Sequence, residues 1–372
     1  VPGSGKTLAG LNIANERHNV DEAEHAVFLS GNGPLVSVLR EALARNELAQ
    51  AKEQGVKTKK REALTKAQAF IQNIHHFRDD ALETNQPPVE KVVVFDEAQR
   101  AWTKEHTTRF MKEKKGVVDF GMSEPEFLIG IMDRHDGYAV VICIVGGGQE
   151  INTGEAGLPE WFNALGSKFS NWDVYVSNEL DAFEYSRGLE LHKKVGAEQL
   201  HVSPDLHLAV SIRSFRAELV SEFVKQSLDG DIEKANESHA KICSNYPIVL
   251  TRQLETAKRW LRDNARGTER YGLVASSGAL RLKPLGLHLK AKIDPAVWFL
   301  NGKEDVRSSY YLEDVATEFD IQGLELDWIC VAWDGNFYRD DENWVFRKFS
   351  GTRWQLIHDE MARIYLKNAY RV

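Results

Sequence analysis

The sequence predicts an α/β protein built on parallel sheets and divided into two units, on three observations. The chain opens with Val1-Pro2-Gly3-Ser4-Gly5-Lys6-Thr7, short apolar runs then alternate with helical segments, and Asp96-Glu97 directly follows one of those runs. Apolar runs separated by helices are the mark of a parallel sheet covered on both faces. At 372 residues the chain suits two domains of ordinary size, each able to bury its own core.

The opening segment completes the pattern GxxxxGK[ST], whose first glycine would be the residue before Val1. Such a turn leaves backbone N–H groups of Gly3, Ser4 and Gly5 pointing at phosphate oxygens, at a helix N-terminus where the peptide dipoles favour anions. Lys6 is then expected to reach the β- and γ-phosphates of a nucleotide, and Thr7 to place its hydroxyl on Mg²⁺. Leu8, Leu11 and Ala14 follow at helical spacing, which a simple linker would not require. Without an initiator Met or a strand ahead of this turn, the chain is expected to be a fragment of a longer protein.

His25 to Ser30 is a short apolar run that ends in the turn Gly31-Asn32-Gly33-Pro34, and is expected to be a buried strand. Leu35 to Ala49 puts Leu35, Val38, Leu39, Ala42 and Leu43 on one helical face. Ala51 to Lys66 is charged and is expected to be a solvated helix surface, with nucleic-acid contact as its other meaning. Lys91 to Phe95 is a second strand and Tyr138 to Val145 a third. From His201 the pattern restarts, with strands over Leu206–Ile212, Ile248–Thr251, Tyr271–Ser276 and Trp328–Trp333 and a helix over Leu254–Asn264. The expected domains are therefore residues 1–200 and 201–372.

Composition is that of a globular chain, with 42% hydrophobic and 27% charged residues. No apolar run approaches the ~20 residues that span a bilayer, so no membrane partner is expected. Cys143, Cys243 and Cys330 are far apart and are expected to be buried reduced thiols of a cytoplasmic protein. The net charge of −8 excludes coating of nucleic acid by bulk charge, though not a local basic groove. Twelve histidines without metal-ligand spacing, and no Cys-x-x-Cys, give no support to structural zinc.

Asp96-Glu97 falls at the carboxyl end of a strand, where open α/β sheets bind ligands. Hydrolysis of a nucleoside triphosphate needs one acid to hold the metal and a second group to orient and deprotonate water. Asp96 fits the first role and Glu97 the second; the competing role, an N-cap for the next helix, needs no preceding phosphate turn.

Asp96-Glu97-Ala98-Gln99, together with Gly5-Lys6-Thr7, resembles the ATPase core of superfamily 1 helicases. Ile144-Val145-Gly146-Gly147-Gly148-Gln149-Glu150 occupies the place of that superfamily's Gly-Asp-x-x-Gln turn, with Gln149 as the γ-phosphate sensor. Gly147 replaces the aspartate, and the spacing is one residue short. Ser211-Ile212-Arg213-Ser214 resembles the Tyr-Arg-Ser motif that opens the second motor domain, whose arginine neutralises charge on the transferring group. The segment Glu318 to Asp327 resembles the Gln/Lys-Gly-Leu-Glu-Phe core, which implies that Gln322 and Gly323 turn beside the nucleotide and Glu325 meets its sugar.

Ser30 to Leu35, Gly146 to Glu150 and Gln322 to Glu325 are most similar to the Schlafen-like group-3 DNA/RNA helicase domain of bacterial proteins. The resemblance implies a P-loop NTPase of two RecA-like parallel-sheet domains, with Mg-ATP in the cleft and single-stranded DNA or RNA across the top. It also implies a flanking nuclease or effector domain. By position, Gly31 to Pro34 and Asn73 to Phe77 match the loops that hold the strand, with Asn73, His75 and Phe77 as contacts, while Ile74 and Phe77 at helical spacing suit the core equally. Two other functions share parts of this pattern. A nucleotide-gated binding or signalling module in a defence or repair complex would use the same cleft without translocating. A small-molecule kinase would share the phosphate turn alone.

Overall fold

The computed structural model describes residues 5–18, 26–146, 157–180, 189–208, 215–244, 246–341 and 343–371. Gly3, Ser4, Gln149 and Arg213 lie outside the described residues. The chain divides into two compact units, residues 1–31 with 65–213, and residues 32–64 with 214–372.

The first half of the chain runs α1 (Lys6–His18), β1 (Ala26–Ser30), α2 (Gly33–Glu53), α3 (Lys60–Phe70), β2 (Ile71–Asn73), α4 (Ile74–Glu83), β3 (Val92–Asp96), α5 (Lys104–Phe110), α6 (Glu124–Met132), β4 (Val140–Cys143), α7 (Leu158–Lys168), β5 (Val174–Val176) and β6 (Leu200–Val202). In the first unit β2-β1-β3-β4 form one sheet, in that order, with every pair parallel. All residues of β1 and β3 are buried, as continuous apolar strands between two helical layers must be. Val27, Leu29, Val93 and Phe95 pack on Phe127 and Leu128 of α6 and on Trp161 of α7. On the opposite face Gly10 brings α1 against Phe28, Val94 and Ile144. The register sets Ser30 beside Asp96, so both strands end at one edge of the sheet.

The second half runs α8 (Phe215–Asp229), α9 (Ile232–Ile242), α10 (Leu254–Asn264), β7 (Tyr271–Ala275), α11 (Pro295–Leu300), β8 (Val315–Thr317), α12 (Glu318–Ile321), β9 (Trp328–Val331), β10 (Phe337–Asp340), β11 (Asn343–Ser350), β12 (Arg353–Leu356) and α13 (Glu360–Ala369). In the second unit β8-β7-β9 form a parallel sheet, and β10-β11-β12 an antiparallel one. Leu273 and Ala275 pack with Leu261 of α10 on one face, while Val274 meets Trp298 of α11 on the other. The segment 32–64 belongs to this unit because α2 lies against α11 and α12.

The structure is thus mixed α/β with parallel sheets. Among the described residues, no helix is long and apolar enough to cross a membrane. Two expected strands are corrected. Ile248 to Thr251 carries no strand, and Leu250 is 100% exposed, because no neighbouring strand pairs with it. Pro204 to Leu206 is a 3-10 turn capped by Ser203, which ends any strand there; residues 209–212 lie outside the described residues. Cys143 and Cys330 are half-buried on strands, whereas Cys243 is exposed, contrary to the expectation of three buried thiols. Burial pushes the Cys143 thiol up to about 12.

Candidate functional site

Gly5 takes φ 73°, the left-handed region that favours glycine, and its carbonyl accepts the first bond of α1 from Ala9 N–H at 2.8 Å. Lys6 and Thr7 therefore sit on the first turn of α1, where peptide dipoles point their positive ends. Thr7 Oγ1 donates to Asp96 Oδ2 at 3.1 Å, joining the start of α1 to the end of β3. A methyl group at Gly146 would lie 3.2 Å from Lys6 Cε and 3.6 Å from Glu97 Oε2, so Lys6, Glu97 and the chain after β4 converge on one spot.

Glu97 itself has φ 55° and ψ 44°. A non-glycine residue in this region carries a backbone cost of roughly 1–2 kcal/mol, which neighbouring bonds must offset. They are present: Ala98 N–H donates to Ile144 O at 2.9 Å, and Trp161 Nε1 donates to Ala98 O at 2.8 Å. Gln99 does more. Its Nε2 donates to Glu97 Oε2, and its Oε1 accepts from Gly146 N–H at 3.1 Å. Gln99 thus fixes the Glu97 carboxylate against the chain after β4. It stood within the tetrapeptide read from the sequence, but without a role of its own.

Burial, and then the neighbouring Glu97 charge, raise the Asp96 carboxyl to about 7, opposed by the Thr7 bond and by Lys6. Asp96 Oδ1 is buried with no hydrogen-bond partner among the described residues. A hydroxyl and a carboxylate oxygen with an unfilled lone pair are the donor set a hard divalent cation takes, so Thr7 and Asp96 fit Mg²⁺. The folded value lies above the ordinary 3.8, so between about pH 4 and 7 the folded state holds a proton the unfolded chain releases. Without metal, this group's contribution to stability therefore falls as pH rises through that window. Metal must displace the proton. Apparent Mg²⁺ affinity, measured by titration calorimetry, is expected to rise about tenfold per pH unit below 7 and to level off above it; an affinity flat from pH 5.5 to 8 would contradict this.

In the second unit, Thr317 and Asp320 form a capping box at the start of α12, and Gly323 follows with φ 80°. Asn32 caps α2 by accepting from Leu35 N–H at 3.3 Å, and its Nδ2 donates to the Gln322 carbonyl at 2.7 Å. Gln322 is buried, whereas Gly323 and Glu325 are exposed. Glu318 was missed by sequence reasoning. Its carboxylate accepts from Ser277 N–H and Ser277 Oγ, both at 2.7 Å, which ties the loop after β7 to the Gln322 turn.

Of the Asn73 to Phe77 segment, matched by position to a strand-holding loop, Ile74 and Phe77 take the core placement that their helical spacing equally allows, and Asn73 caps α4, accepting from His75 N–H at 2.9 Å. His75 lies 5.2 Å from Trp102 and 6.3 Å from Phe110, between ring centres. Burial, and then the charge of Arg78, push His75 down to about 4. Arg78 is fully buried over Phe110 and Trp102, with Nη1 donating to Glu124 Oε1 at 3.4 Å.

Comparison with protein-family models matches residues 1–372 to the family described as Schlafen group 3, DNA/RNA helicase domain. The search of curated proteins gives no match.

Proposed function

Because the chain belongs to the Schlafen group 3, DNA/RNA helicase domain family, we propose that it is an ATP-dependent motor acting on single-stranded DNA or RNA. In this proposal it is a P-loop NTPase built of RecA-like units. The observation that supports it is the joining of Thr7, Asp96, Glu97 and Lys6 at the C-terminal edge of the first unit's sheet. Open α/β sheets bind their ligands at that edge.

Lys6 supplies positive charge to the β- and γ-phosphates of ATP, aided by the N–H groups at the start of α1. Thr7 and Asp96 hold Mg²⁺, which when bound neutralises charge that builds on the phosphates. Glu97 takes a proton from the attacking water, and Gln99 keeps the carboxylate aimed. Gln149, which follows Gly146 by three residues, senses the γ-phosphate. Arg213, Gln322, Gly323 and Glu325 keep the nucleotide roles that the motif resemblance gives them.

The test is ATP turnover with no strand, with single-stranded DNA and with single-stranded RNA. The motor predicts stimulation of severalfold or more by at least one strand, since strand binding must drive the catalytic groups into place. Turnover that neither strand changes would refute the motor and leave a nucleotide switch.

A further inference from the structure

One face of the antiparallel sheet of the second unit carries aromatic rings and Arg347, with Arg281 from the turn after β7 against one of the rings. Strand pairing sets Trp354 opposite Phe349 and Tyr338 opposite Val345. Since alternate residues share a face, Tyr338, Arg347, Phe349 and Trp354 lie together. The other face is already used: Phe337, Trp344 and Phe346 cluster with one another, and Phe337 with Trp333 and Tyr370 as well.

On the first face the Arg347 guanidinium lies 4.3 Å from the Tyr338 ring centre and 5.5 Å from that of Trp354. Arg281, from the turn after β7, lies 5.0 Å from the Phe349 ring centre, and Phe349 meets Trp354 edge-on at 5.3 Å. All four sheet residues are partly exposed, and Arg281 is exposed. Among the described residues neither guanidinium has a carboxylate partner, and Arg347 Nε is buried without an acceptor. Asp340 and Asp341 stand at the β10–β11 turn, at the opposite end of β11 from Phe349.

Stacking on rings holds a guanidinium plane in place and leaves its N–H edge for an anion. Arg347 and Phe349, two residues apart on β11, are about 7 Å apart along the strand. That is comparable to the step between successive phosphates of an extended single strand. A row of rings alternating with cations at this spacing takes bases by stacking and phosphates by charge, as sheet platforms do.

We propose that Tyr338, Arg347, Phe349, Trp354 and Arg281 form a binding surface for single-stranded nucleic acid, with bases stacked on the rings and phosphates accepting from the arginines. This adds a strand contact to the proposed function and rests on it in that respect. The surface lies on β10–β12 and on the turn after β7, and uses none of the residues of the loops expected to hold the strand.

The test measures binding of labelled single-stranded oligothymidine, oligouridine and an abasic oligodeoxynucleotide by anisotropy, with each variant's thermal midpoint as the folding control. Trp354→Ala is expected to weaken binding to a base-bearing strand about tenfold and to leave abasic binding unchanged. Trp354→Phe is expected to restore most of the loss. Arg281→Ala is expected to weaken all three and to reduce the salt dependence by about one phosphate contact. The stronger of the two base-bearing strands identifies DNA or RNA. Wild-type affinity in both Trp354→Ala and Arg281→Ala, with strand-stimulated ATP turnover intact, would overturn this surface alone. Equal loss on abasic and base-bearing strands in Trp354→Ala would overturn the stacking. Failure of the wild-type chain to bind either strand would overturn the surface and the motor together.

Discussion

Glu97→Gln is expected to lower ATP turnover at least a hundredfold while nucleotide binding is retained. A positioned general base contributes about 10²- to 10⁴-fold, and glutamine keeps the shape of glutamate without its basicity. The amide oxygen of the new side chain can still accept from Gln99 Nε2, so the turn after β3 keeps its bonds to Ile144 and Gly146. The Glu97 charge also helps hold Asp96 protonated, so its removal shifts Asp96 toward the carboxylate. Mg-nucleotide should therefore bind the variant at least as tightly as the wild type at pH 7. Phosphate release and calorimetric affinity, measured side by side, check both statements. Turnover within threefold of wild type would remove Glu97 from the chemistry.

Arg78→Ala is expected to destabilise the first unit by about 3–5 kcal/mol. Arg78 is fully buried, and its loss leaves the Glu124 carboxylate buried without its cation. Glu124 is already raised by burial, with the Trp102 N–H bond at 2.9 Å and Arg78 opposing that rise. The guanidinium also fills the space over Phe110, 4.7 Å from the ring centre, and over Trp102. A double change with Glu124→Gln should recover part of the loss, because it removes the stranded charge. Urea unfolding of the single and double variants measures this; a loss under about 1 kcal/mol for Arg78→Ala would show that the pair carries little.

The two central strands of the first unit's parallel sheet, Val92 to Phe95 and Ala26 to Leu29, were legible because they are buried on both faces and so read as unbroken apolar runs. The three-residue β2 at its edge offered no such run. The helix Leu254–Asn264 was legible from its period, and the structure places it over the same residues. Ile248 to Thr251 misled because an apolar run of four residues forms a strand only where another strand offers its ladder. The β10–β12 sheet escaped notice for the opposite reason. Its strands mix apolar and charged residues without a regular period, as Val345-Phe346-Arg347-Lys348 does, and its turns at Asp341 and Gly351 both take positive φ.

Thr7, Asp96 and Glu97 were singled out in the sequence by residue type and spacing, and the structure brings them together at the end of β3. Gln99 and Glu318 were not, since their work is to hold other groups and any buried donor or acceptor of suitable length could do it. The Asn32 side chain caps α2 and holds the Gln322 carbonyl, a pairing across 290 residues that no local pattern announces.

The most direct test is a crystal structure of the chain with Mg²⁺ and a non-hydrolysable ATP analogue. The expected result has the metal bound by Thr7 Oγ1 and the presently unpartnered Asp96 Oδ1, the γ-phosphate within reach of Lys6 Nζ, and a water beside it facing Glu97. Triphosphate bound away from the start of α1, or a metal that leaves Thr7 and Asp96 still bonded only to each other, would contradict it.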